Sequence, residues 1–274
     1  MLHELPLVIF TICAQMSVGS FVTLGIIQLL GSRLPPATMG KVTRPALYAI
    51  GPLLVLGLAA STLHLGSPLR APNAILHWQE SWLSREILLG MAFPGLFLVY
   101  AISQVYSLRT VPAWSAPYTA VRFFTTAFLL GGLAVGAALV VAAFYRARKG
   151  EHDHDAMPLL TNSVRGIALG SLVLMGIKAI GLPFYTSYLA RHPEPAVQES
   201  IRILSEQYGG WSLAQAILVF LCVALLGYLL FRLSGGAAGR RLLPRIALIS
   251  FFLVLTGEVI GRMLFYASMV RIGI

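Results

Sequence analysis

The chain has 274 residues, of which 57% are hydrophobic and only 11% charged; a soluble domain carries roughly 25% charged residues, so there are too few charges here to cover a globular surface. The net charge of +10 could suggest nucleic acid, but the basic residues sit in short clusters between apolar runs, at Arg33, Lys41 and Arg44, at Arg146, Arg148 and Lys149, and at Arg232, Arg240, Arg241 and Arg245. That is the pattern of loops held on the cytoplasmic side of a membrane, and no basic stripe with interleaved aromatics accompanies it, which excludes a nucleic-acid binder.

Apolar segments run over 6–30, 46–64, 86–107, 117–145, 159–182, 212–233 and 243–269. Most reach the roughly 20 residues that a helix needs to cross a bilayer core. They predict an all-α, polytopic transmembrane bundle of about seven helices, forming one integral membrane domain over 1–274. The first segment has no basic residues before it and is too long for the apolar core of a leader, so it reads as a retained helix. Gly132 and Gly136, Gly166 and Gly170, and Gly257 and Gly261 form pairs of small residues at the four-residue spacing that lets helices approach closely in lipid. Pro35-Pro36, Pro68, Pro72, Pro112, Pro183 and Pro244 mark segment ends, while Pro94 falls inside the third segment and predicts a kink. Two polar connectors are read, at 146–158 and 183–211. Within the second, 196–207 predicts a short amphipathic helix lying at the membrane interface.

The charge pattern raises a conflict of parity. Placing all three basic clusters inside puts the N-terminus and the 65–85 loop outside. An odd number of crossings must then lie between residues 86 and 145, where two apolar segments are read. Either 86–107 does not cross fully or one half of the chain breaks the charge rule.

Ionisable side chains at membrane depth are costly and mark functional candidates. They are His64 at the end of the second segment, Arg85 and Glu86 opening the third, Arg122, Lys178, and Glu258 with Arg262 in the last. His64 and Glu86 flank one loop, so both belong to one membrane face. A histidine can accept a proton from a phenolic hydroxyl and a nearby carboxylate can pass it to solvent, which is what oxidation of a quinol requires. Equally, His64 could simply end its helix and Glu86 could pair with Arg85. Glu258 and Arg262 stand four apart with the acid first, the spacing of an intrahelical ion pair that would fix packing. Of the six histidines only His64 borders an apolar span, so a bis-histidine haem is not expected. Cys13 and Cys222 are too far apart in sequence to suggest an iron–sulfur or zinc site. His152-Asp153-His154-Asp155 has the look of a metal-binding tract but reads as a solvated loop.

Several segments are shared with a known family. The runs His-Leu-Gly-Ser-Pro-Leu-Arg-Ala (64–71), Ser-Arg-Glu-Ile (84–87), Thr-Val-Pro-Ala-Trp (110–114) and Gly-Glu-Val-Ile-Gly-Arg-Met-Leu-Phe-Tyr (257–266), with the opening His-Glu-Leu-Pro-Leu-Val-Ile-Phe-Thr (3–11), resemble the membrane anchor subunit of dimethyl sulfoxide reductases, the DmsC type. The matches keep their order from one end of the chain to the other. The resemblance implies a multi-pass protein of the bacterial inner membrane that oxidises menaquinol without haem or an iron–sulfur cluster of its own. It would draw on the quinone pool and pass electrons to an iron–sulfur subunit that feeds a molybdopterin catalytic subunit. His64 and Glu86 would carry the quinol chemistry, with Arg70, Arg85, Glu258 and Arg262 as further quinol-binding candidates. The family has eight spans, and this chain is short by about one helix between Glu86 and Thr110. A structural anchor lacking a quinol site and a secondary transporter are the competing readings.

Overall fold

The computed structural model describes residues 4–32, 34–63, 96–116, 118–150, 156–234 and 243–272. The described residues form helices and no strand: α1 (Leu5–Leu30), α2 (Pro36–Leu63), α3 (Leu96–Val105), α4 (Tyr118–Arg148), α5 (Ala156–Arg191), α6 (Pro195–Arg202), α7 (Gly209–Ser234) and α8 (Leu243–Ala267). Five of them are long and apolar enough to cross a membrane: α1, α4, α5, α7 and α8. The chain is thus a polytopic helical bundle, as its composition predicts. The described part of the third segment, α3, has ten residues and is about 15 Å long at 1.5 Å per residue.

Side-chain contacts fix how the helices run. Ser17 donates to the Ile50 carbonyl (2.9 Å), and Gly57 lies against Cys13 and the Phe10 carbonyl, so α2 returns antiparallel along α1. Ser20 donates to the Gly131 carbonyl (3.3 Å) while Gln15 meets Arg262 beside Phe123, so α4 runs parallel to α1. Pairings of Gly136 with Ile167, Lys178 with Thr126 and Glu258 with Thr126 set α5 and α8 antiparallel to α4. Gln215 on Gly261 and Cys222 on the Ser250 carbonyl set α7 antiparallel to α8.

These directions remove the parity conflict. The α1–α2, α4–α5 and α7–α8 connections all leave at one end, and Lys41, Arg44, Arg146, Arg148, Lys149, Arg232 and Arg245 lie there. α4 starts at the opposite end, where α2 finishes. Among the described residues, neither half of the chain breaks the charge rule.

Helix bounds differ from the apolar segments in physically intelligible ways. α2 begins at Pro36, which needs no N–H at a first helical turn, and carries Lys41, Arg44 and Pro45 before the apolar stretch starts. Pro183 does not end α5, which continues to Arg191. The turns beyond it are held because Tyr185 and Tyr188 donate to the Ala113 and Pro112 carbonyls (3.0 and 3.3 Å). Most of the connector read at 183–211 is therefore helical. The expected short helix is present as α6, opened by Pro195 and followed by a π-helical turn at Ile203–Gln207.

The tightest helix contact is between α1 and α4. A Cβ on Gly131 would stand 2.1 Å from the Gly19 carbonyl carbon, and one on Gly19 would stand 1.8 Å from the Ala127 carbonyl oxygen. Backbone lies on backbone there, which only glycine permits. The in-sequence glycine pairs behave differently from one another. Gly136 packs on Ile167 and Gly261 on Gln215, whereas Gly166 and Gly170 have nothing within 4 Å of where a Cβ would be.

Candidate functional site

The interior of α4 and α8 is built from apolar residues interrupted by a few polar ones, and these polar residues meet. Glu258 is buried, 6% exposed. Its two oxygens are taken by two different helices: Thr126 of α4 donates to Oε2 at 2.7 Å, and the Lys178 ammonium of α5 forms an ion pair with Oε1. Lys178 Nζ also lies 3.3 Å from Thr126 Oγ1. Thr126 is eight residues into α4 and Glu258 nine from the end of α8, a depth of roughly 12–14 Å from the helix ends.

One turn nearer that end sit two guanidinium groups. Arg122 Nη2 donates to the Gly261 carbonyl (3.2 Å), and its guanidinium lies 5.4 Å from the Phe265 ring centre. Arg262, 5% exposed, donates from Nη2 to Gln15 Oε1 (3.0 Å). Its guanidinium covers the Phe123 ring at 3.8 Å and lies 5.7 Å from Phe265. Each ring face offers partial negative charge to a cation. Glu258 and Arg262 therefore do not form the intrahelical pair that their spacing suggests. The helix turns Glu258 toward α4 and α5 and Arg262 toward α1, where a closer acceptor and a ring face wait.

Below the guanidinium groups an aromatic floor closes the bundle. Trp114 stacks on Phe265 (centres 4.8 Å apart, planes at 14°), and Tyr106 touches Trp114, Phe123, Phe265 and Tyr266. The Trp114 indole N–H donates to the Phe265 carbonyl (2.9 Å) and approaches Ser268 Oγ (3.2 Å). Ser200 of α6 donates to the Ser268 carbonyl (2.9 Å), and the Ile272 N–H donates to the Thr110 carbonyl (3.0 Å). The segments 110–114 and 257–266, far apart in sequence, are thus one structural unit with α6 fastened to it.

Of the residues singled out in the sequence, Arg122, Lys178, Glu258 and Arg262 belong to this cluster. His64, Arg70, Arg85 and Glu86 lie outside the described residues, as do Pro94 and the His152–Asp155 tract. α2 reaches Leu63 at the same end of the bundle as the cluster, against the helix that supplies Gln15. Lys178 and Arg122 are visible in the sequence as isolated charges, but their convergence on Glu258 and Gly261 is not. Gln15 and Thr126 carry a weaker signal, a polar side chain in the middle of an apolar helix. Among the described residues, no group of three or more His, Cys, Asp or Glu side chains is placed to hold a metal ion.

Comparison with known proteins gives a consistent result. The family of DMSO reductase anchor subunits (DmsC) matches residues 1–99 and 91–268. The two pieces overlap at residues 91–99. An anaerobic dimethyl sulfoxide reductase chain of Escherichia coli is 30% identical over 304 residues, covering 99% of this protein and 96% of its own length. A second anaerobic dimethyl sulfoxide reductase chain of the same organism, named YnfH, is 27% identical over 303 residues, with 99% and 96% coverage. Both alignments are longer than 274 residues, so they open gaps in this sequence. A sulfite dehydrogenase subunit of Allochromatium vinosum is 31% identical over 156 residues, 52% of this protein and 46% of its own length. No solved structure matches.

Proposed function

The chain belongs to the DMSO reductase anchor subunit family, and we propose that it is the quinol-oxidising anchor of a respiratory complex in a bacterial inner membrane. In this reading menaquinol enters from the bilayer and binds at the end of the bundle opposite the basic loops. Its protons leave through His64 and Glu86, and its electrons pass to an iron–sulfur subunit that serves a molybdopterin catalytic subunit. The basic loops mark the cytoplasmic end, so the quinol end faces the other side.

The observation that carries the reading is the union of the 110–114 and 257–266 segments around Glu258 and Arg262. Buried charges at this depth are expensive and are retained where they serve a function. Here they are assembled from three helices, α4, α5 and α8, with Gln15 of α1 and aromatic rings packed against them. In this reading Arg70 and Arg85 orient the headgroup near His64, while Glu258 and Arg262 form the inner wall of its pocket.

A relative named for a dehydrogenase stands beside relatives named for reductases. The same anchor would then serve electron flow in either direction, with the partner subunits setting which. A structural anchor alone would not need polar and charged groups on α1, α4, α5 and α8 to converge.

Steady-state quinol oxidation by the assembled complex tests the site. His64→Ala and Glu86→Gln should each lower turnover by two or more orders of magnitude, the scale of a lost proton acceptor at about 10²–10⁴, while the complex still assembles. Either variant keeping wild-type turnover removes that residue from the site.

A further inference from the structure

Among the described residues, the charges gathered around Glu258 do not balance. Arg122, Lys178 and Arg262 are three cations on α4, α5 and α8, and among the described residues Glu258 is the one carboxylate that reaches them. Lys178 consumes that carboxylate in a direct ion pair. The two guanidinium groups are left with neutral acceptors, the Gly261 carbonyl for Arg122 and the Gln15 amide oxygen for Arg262, and with the shared face of Phe265. Guanidinium stays protonated in essentially any protein site, so the excess positive charge cannot be relieved by losing a proton from either arginine. Among the described residues, two buried donors of the cluster, Arg262 Nε and Gln15 Nε2, have no hydrogen-bond partner. Both belong to the contact between α1 and α8, and Gln15 is fully buried. Buried donors and uncompensated buried charge are each costly, and a single oxygen anion at this place would answer both.

We infer that the Arg122–Arg262–Gln15 cluster binds a quinol headgroup through a deprotonated, anionic oxygen, with Lys178–Glu258 as the fixed ion pair that positions the wall behind it. The inference rests on the quinol reading above and goes beyond it by naming the charge state of the bound species. The hydroxyl O–H bond breaks so that the electron pair remains on the quinol oxygen, and the proton leaves to water or to the proton acceptor of the site. None of the three cations can take that proton, because guanidinium and ammonium are donors only. The anionic oxygen is then held by charge-assisted hydrogen bonds, which are shorter and about twice as strong as neutral ones. The rings of Phe123 and Phe265 hold the two guanidinium groups in place.

The test uses the purified complex in detergent and two quinone probes that differ in charge but little in shape. A 2-hydroxy-3-alkyl-1,4-naphthoquinone is an anion at neutral pH, and its 2-methoxy ether is neutral. Binding is read by fluorescence quenching, with affinities corrected for partition into micelles. The expected result is that the wild-type complex binds the anion at least about tenfold more tightly than the ether, the scale of one charge-assisted bond. Arg122→Gln and Arg262→Gln should each weaken binding of the anion severalfold more than binding of the ether, so that the preference falls. Equal affinity for the two probes overturns the charge assignment and leaves the quinol reading standing, as does a preference that neither variant reduces. Absence of binding by both probes overturns the quinol reading and this inference together. Should Arg262→Gln fail to accumulate, the wild-type ratio and the half-buried Arg122→Gln variant still decide.

Discussion

At the end of the bundle where α4 begins, helices are joined by polar contacts between specific atoms. Thr126 and Lys178 hold Glu258, Arg122 holds the Gly261 carbonyl, and Trp114 holds the Phe265 carbonyl. At the end where α4 finishes, Leu24, Ile27, Val42, Ala46, Ile50, Val135, Leu139 and Leu159 form an apolar cluster, and the loops beyond it are basic. Between the two, Gly19 and Gly131 bring α1 and α4 into backbone contact. Lipid tails are as apolar as leucine, so the apolar half gains little by excluding lipid and coheres through close fit. The polar half contains groups that fit alone does not require and that cost free energy to bury. Substitutions should therefore lower stability in one half through shape, and in the other through charge, where they also reach function.

The largest expected effect breaks the shape side of this contrast. Gly131→Leu would drive a side chain into the Gly19 backbone, beyond the roughly 1–3 kcal/mol of ordinary overpacking. The folded protein should disappear from the monodisperse detergent-solubilised fraction. A variant that still elutes and melts like wild type would show that the α1–α4 contact is looser than the geometry demands.

Next in size is the charge side. Lys178→Met strips Glu258 of its ion-pair partner and should destabilise by about 3–5 kcal/mol, the cost of stranding one buried charge. Adding Glu258→Leu to the same protein should restore much of that loss. Unfolding midpoints in mixed micelles give the comparison, and a double variant no more stable than Lys178→Met alone would mean the pair is not the unit it looks to be.

The smallest effect sharpens the contrast from outside. Glu199 and Arg202 pair on α6 three residues apart, with side chains 40% and 60% exposed. Such a pair is screened by solvent, so Glu199→Gln should leave the melting midpoint unchanged within error. A clear loss would show that α6 depends on this pair as well as on the Ser200 bond to the Ser268 carbonyl.

What is legible in the sequence divides along the same line. Membrane spans follow from composition and length, which act locally, and α1, α4, α7 and α8 fall close to the apolar runs. The end of α5 lies beyond the one that Pro183 signals, because proline is a local cue while the bonds from Tyr185 and Tyr188 to the 112–113 carbonyls are not. Small-residue spacing within one helix points to Gly166 and Gly170, whose surroundings are open. The contact that matters joins Gly19 to Gly131 across two helices, and no spacing rule connects them. In the site, Glu258 and Arg262 stand out as charges in an apolar run, yet their spacing suggests each other as partners. The choice of Lys178, Thr126 and Gln15 instead is set by helix rotation in the bundle. The parity conflict also dissolves at the tertiary level, once the helix directions put the basic loops at one end.

The central claim is that this protein holds a working quinol site, and fluorescence titration of the purified membrane complex with a menaquinol-analogue inhibitor, wild type against His64→Ala, tests it most directly. The predicted result is saturable quenching in the wild type that the substitution abolishes. No quenching in the wild type would contradict it and leave the protein a structural anchor only.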